Sequence, residues 1–182
     1  MKKVMLLFLI PLLFLCSCGR DPAKKAADMT PEEIIDAVYE KAGSDEYLQK
    51  TVPELMTYEI NAENEEYYLG ISGIPYVSGA ASEAVVQPLT FSFAVIRLKE
   101  DCDHDAERIK IENNINKAKW VCAKAEEAYV VRYNDLIAVI MGPASACNAI
   151  ESAFLSIARQ YLQQPLSRRF YQCRRDILFR RL

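Results

Sequence analysis

Histidine is almost missing from this chain: His104 is the only one in 182 residues, and Trp120 is the only tryptophan. No Gly-x-Ser-x-Gly elbow, phosphate-binding glycine-rich loop or His-Glu-x-x-His occurs. The sequence therefore lacks the arrangements that mark serine hydrolases, nucleotide-binding enzymes and zinc peptidases. Nor is there a Cys-x-x-Cys, which removes the common zinc frameworks. Crossing a bilayer takes about 20 consecutive apolar residues. The longest run, Val4 to Leu15, is shorter than that and contains Pro11.

That short run sits in a recognisable setting. Lys2 and Lys3 precede it, and Leu15-Cys16-Ser17-Cys18 follows. A positive start, a brief apolar stretch and a small residue before the cut make a secretory signal. A cysteine directly after the small residue makes it a lipoprotein signal, with Cys18 as the lipid acceptor. Moving the frame to Cys16 would place Phe14 and Leu15 in the small-residue positions. The expected layout is a signal peptide over 1–17, a tether over 18–29, a domain over 30–162 and a basic tail over 163–182. The expected location is the cell membrane, lipid-anchored and facing the extracytoplasmic side.

The remaining stretch of roughly 160 residues is long enough for one domain with a core. The net charge of −3 conceals an asymmetry. From Pro31 to Glu66, eleven acids face only Lys41 and Lys50, and from Ala158 to Leu182 seven arginines face only Asp176. Two surfaces with different partners, or two ends that attract each other, both fit this pattern. Cys102, Cys122, Cys147 and Cys173 are widely spaced and are expected to be mostly free and buried, although an exported domain permits two disulfides.

Thr30-Pro31-Glu32-Glu33 predicts a helix start with a capping box, and Ile34, Ile35, Val38 and Ala42 follow at helical spacing up to Gly43. A second short helix is expected from Asp45 to Met56, interrupted by Pro53. Tyr58 to Ile60 and Glu66 to Ile71 read as strands, Ser72 to Ser82 as a loop, and Leu89 to Leu98 as a central strand covered on one side. Cys102 to Lys119 reads as an amphipathic helix, and Trp120-Val121-Cys122 as the entry to a core segment. Tyr129 to Tyr133 and Leu136 to Met141 read as a hairpin turning at Asn134-Asp135. Ala144 to Leu162 is a final helix. Adjacent strands in sequence argue for antiparallel pairing, hence an α+β fold of two layers with a sheet of about four strands packed with helices.

Asn113-Asn114-Ile115-Asn116, Lys119-Trp120-Val121-Cys122, Tyr129-Val130-Val131 and Leu136 to Gly142 resemble the lipoprotein family DUF4358. The likeness covers roughly Pro31 to Ile157, and the Lys-Trp-Val-Cys block is its most specific part. It implies a lipid-acceptor cysteine and a compact α+β domain, typically in Gram-positive bacteria. It implies no activity, ligand or catalytic residue. The arginine-rich tail departs from the family pattern.

Candidate chemistry is sparse. Asp101-Cys102-Asp103-His104-Asp105 gathers cation ligands, yet it also has the form of a capped helix start, the reading preferred here. Cys122 would need a neighbouring base to act as a nucleophile, and its apolar neighbours predict a core position instead. Glu63, Glu65 and Glu66 lack the ligand spacing of a calcium loop. Tyr67, Tyr68 and Tyr76 are candidates for a ligand or peptide groove, against the alternative of one packed tyrosine face. Arg168, Arg169, Arg174, Arg175, Arg180 and Arg181 lie on a tail that fits a basic amphipathic helix. They are candidates for contact with an anionic membrane, the alternative being a tail docked on its own domain.

The expectation is a membrane-anchored binding or protein-interaction module with an envelope protein as partner, and no cofactor, metal ion or nucleic acid. The alternative is a cell-envelope enzyme or enzyme accessory subunit built on Cys122 or the Asp101–Asp105 cluster.

Overall fold

The structure is a computed structural model that describes residues 29–84 and 89–160. The signal peptide, most of the tether and the tail lie outside these residues. So do Cys18, Cys173 and the six candidate arginines.

Five strands form one sheet in the order β1-β2-β3-β5-β4, and every neighbouring pair is antiparallel. They are β1 (Leu55–Glu59), β2 (Tyr76–Ala84), β3 (Ser92–Leu98), β4 (Glu127–Tyr133) and β5 (Leu136–Gly142). This is the α+β fold that the order of elements predicts, with one strand more than expected. β4 and β5 are the predicted hairpin, and Asn134 at its turn has φ +55°, a conformation that asparagine tolerates better than most residues.

On one face lie α1 (Pro31–Ala42), α2 (Glu46–Thr51) and α5 (Ala144–Gln160). The capping box forms: Thr30 N–H donates to Glu33 Oε2 at 2.9 Å, and Glu33 N–H donates to Thr30 Oγ1 at 3.3 Å. Ile34, Ile35 and Val38 of α1 and Ile150 and Phe154 of α5 bury against Phe91, Phe93 and Val95. Tyr39 sets its ring edge-on to Phe93 with centroids 5.8 Å apart. Burying side chains of this size contributes about 1.5–3 kcal/mol each.

β3 is central, as its alternation predicts, but it is buried on both faces. Ala94, Ile96 and Leu98 pack into a second cluster with Leu69, Ile111, Ile137 and Val139. Two further helices cover that face, α3 (Glu65–Leu69) and α4 (His104–Asn114).

Several local expectations are corrected. Glu66 to Ile71 is not a strand; Glu65–Leu69 is helix α3, closed by Gly70 at φ +77°. Residues 72–82 are not all loop, because β2 begins at Tyr76. The small residues that suggested a loop serve close packing instead: a Cβ on Gly79 would lie 2.9 Å from Ile96 Cγ2 and 3.1 Å from Ile60 Cβ. Helix α4 also stops at Asn114 rather than Lys119. The chain then crosses the end of the sheet as an irregular segment over 115–126.

Candidate functional site

Met56, Glu83, Ser92, Met141 and Ala128 form one cross-strand row from β1 to β4. Glu83 and Ser92 thus stand side by side, and a carboxylate there would be costly without partners. It has three. Tyr67 Oη donates to Glu83 Oε1 at 2.7 Å, Trp120 Nε1 donates to the same oxygen at 2.5 Å, and Lys119 Nζ donates to Oε2 at 2.8 Å. Lys119 also donates to Ser92 Oγ at 3.0 Å.

The ammonium group of Lys119 is wrapped in rings. Its Nζ lies 4.1 Å from the Tyr67 centroid, 4.7 Å from Tyr68 and 5.0 Å from Trp120, all within cation–π range. Tyr67 and Tyr68 meet edge-to-face at 5.0 Å. Side-chain exposure is 3% for Lys119 and 7% for Glu83, so this ion pair is shielded from solvent. Four separate parts of the chain build it: β2 and β3 supply Glu83 and Ser92, α3 the tyrosines, and the 115–126 segment the lysine and the indole. Trp120 is seated with Ala125 and Met141.

Burial pushes the Lys119 ammonium down to about 8, against the opposing pull of Glu83. The phenols move the other way. Tyr67 is raised by burial, then by its hydrogen bond to Glu83 and that carboxylate's charge. Tyr68 is raised to about 12, first by burial and then by Glu83.

Of the three candidate groove tyrosines, the structure brings two together and gives them different roles. Tyr67 is 43% exposed and caps the ion pair, whereas Tyr68 is buried in the second-face cluster. Tyr76 bonds elsewhere, its hydroxyl donating to the Ile60 carbonyl at 3.5 Å. Glu83, Lys119, Ser92 and Trp120 were not singled out as site residues from sequence. Lys119 and Trp120 stand out in the sequence only within the Lys-Trp-Val-Cys block.

The other candidates are placed apart from this cluster. Asp103 caps α4 by accepting from the Asp105 and Ala106 N–H groups, and the His104 ring pairs with the Lys99 carbonyl at 2.9 Å. Among the described residues no group of His, Cys, Asp and Glu side chains is arranged to hold a metal ion. Glu65 accepts from Gly73 N–H, and Glu63 is exposed. Cys122 is exposed rather than in the core. It turns the chain at φ +63°, because Trp120 takes the inward position and leaves Val121 and Cys122 outside. Cys102, Cys122 and Cys147 are free thiols, and only Cys147 is buried.

The two ends of the sheet differ. Met29 is held at the far end, where its carbonyl accepts from Arg97 Nη2 at 3.1 Å. Arg97 also pairs with Asp135 at 2.6 Å, in the hairpin turn. Along β3, Ser92 and Arg97 are about 17 Å apart at the usual strand rise.

Comparison with protein-family models, curated proteins and solved structures returns no match. Among the described residues no helix is long and apolar enough to cross a membrane.

Proposed function

We propose that this chain is an extracytoplasmic lipoprotein, anchored through lipid on Cys18, whose domain is a protein-interaction module. One observation carries the reading: large apolar side chains stand in water around the Glu83–Lys119 pair. Met56 is 53% exposed, and Tyr58, Tyr67 and Val121 are exposed as well. Such side chains, backed by a fully bonded polar network, suit recognition of another surface. Within the network, Glu83 and Lys119 both have their partners inside the protein, which favours a supporting role for them over chemistry.

The arrangement also suits an anchor. Residue 29, where a tether from Cys18 would join the domain, lies at the end of the sheet opposite Glu83 and Lys119. The DUF4358 resemblance belongs to the same proposal, and its most specific block contains Lys119 and Trp120.

The test is fractionation of cells carrying Cys18→Ala, combined with photocrosslinking from position 121 of the parent. Release of the variant from membranes and one reproducible envelope crosslink are expected. Unchanged processing and retention of Cys18→Ala would refute the anchor. Absence of any crosslink from the apolar patch would refute the interaction module.

A further inference from the structure

Strands β1 and β4 are the edges of the sheet. β4 has α4 and α5 against it, but β1 carries Met56 and Tyr58 into solvent on the same side of the sheet as Glu83. Its backbone is open too. Ile60 N–H donates to the Gly79 carbonyl at 2.9 Å. In a regular antiparallel ladder Tyr58 and Met56 then also face β2, while Leu55, Thr57 and Glu59 turn their main-chain groups outward.

Two of those outward groups are already used. Leu55 N–H donates to Val52, and the Glu59 carbonyl accepts from the Asn64 side chain at 2.9 Å. Among the described residues, the Leu55 carbonyl, both groups of Thr57 and the Glu59 N–H have no partner. Edges of this kind are normally blunted by lysine, proline or a covering element. Within β1 there is neither lysine nor proline.

The charge around this edge has one sign. Glu54, Glu59, Glu63 and Glu66 are exposed and flank β1 or begin α3. Among the described residues none of them is in an ion pair. A second copy is a poor occupant. Pairing two β1 edges would bring the exposed acids of both copies into one neighbourhood, and juxtaposed like charges disfavour association.

We propose that β1 takes up an extended basic segment of a partner protein as a sixth strand. Main-chain bonds form at Thr57, with Leu55 and Glu59 contributing one group each. The segment's apolar side chains lie beside Met56, Tyr58 and Tyr67, and its Lys or Arg residues face Glu54, Glu59, Glu63 and Glu66. This is strand addition to an open sheet edge, in which side-chain pockets and charge set the choice of partner. The proposal deepens the interaction-module reading and rests on it.

The test uses the full chain in detergent and a fluorescent eight-residue peptide alternating arginine with valine and tyrosine, compared with its glutamate counterpart. Saturable binding of the basic peptide alone is expected, weakening with salt. Amide exchange should slow at Thr57 and Glu59 on binding, with Met56 and Tyr58 little changed. Thr57→Pro removes an outward N–H that the β1–β2 ladder does not use, and edge strands tolerate proline. It should weaken binding at least tenfold, whereas Thr57→Val should bind like the parent.

Equal binding of both peptides, or an unaffected Thr57→Pro variant, would overturn the proposal. So would self-association that Thr57→Pro abolishes, which would assign the edge to a second copy. Binding seen only after residues 163–182 are removed would overturn it as well, by assigning the edge to the chain's own tail. None of these outcomes depends on Cys18, so loss of the anchor reading leaves this test intact.

Discussion

At the scale of residues, the Glu83–Lys119 pair is the feature with the most to lose. Removing one partner of a buried pair typically costs about 3–5 kcal/mol, because the other charge is left stranded. The pair also gives stability a specific pH dependence. An unfolded chain holds the Lys119 proton to about pH 10.5, while the folded protein releases it near 8. Between those values the unfolded state binds more protons, so stability rises with pH. Urea unfolding at pH 7.5 and 9.5 should show the parent gaining on Lys119→Met by about 2 kcal/mol, within the scale of 1.36 kcal/mol per pKa unit. A constant difference would remove the desolvated ammonium from the account. Little of this cluster was legible beforehand. Tyr67 and Tyr68 stood out by composition, but nothing near them in sequence announces Glu83 or Lys119. The register of β2 on β3 sets Glu83 beside Ser92, and Tyr67 and Lys119 reach it only through the packing of α3 and the 115–126 segment.

At the scale of elements, legibility followed how local the signal was. The α1 cap and the β4–β5 turn are written within a few residues, and both form as read. The residues of α3 read as a strand because Tyr67 and Tyr68 favour strands by type, yet Asn64 and Gly70 hold them in a single helical turn. Gly70 explains why so short a helix persists. It adopts φ +77°, and a Cβ there would come 2.3 Å from the Asn114 carbonyl oxygen and 2.7 Å from Ile115 Cα. The end of α3 is therefore seated directly on the backbone that closes α4. Gly70→Ala should cost more than the roughly 1–2 kcal/mol of left-handed strain alone, and it should disturb Tyr67 as well. Equilibrium unfolding measures the first effect and tyrosine fluorescence the second. A loss below 1 kcal/mol would show that the two helices can separate freely.

At the scale of the whole molecule, two of the free thiols report different things. Cys122 is exposed, whereas Cys147 lies in the core between α5 and the sheet, its thiol pushed up to about 12 by burial and nearby glutamates. Under native conditions maleimide should modify Cys122 within the mixing time of ordinary reagents. Cys147 should react only through global opening, at a rate that falls as stability rises. Comparable rates for the two, read by peptide mass mapping, would mean that the α5 face opens independently. The sheet order has a further consequence, for how the chain is made. β5 is inserted between β3 and β4, so β3 waits for a neighbour that lies some forty residues downstream. Until residue 142 has emerged, a nascent chain carries β3 as a bare edge with apolar side chains on both faces. Synthesis therefore passes through an interval in which the growing chain is adhesive, and chains halted in that interval will clump unless a chaperone holds them.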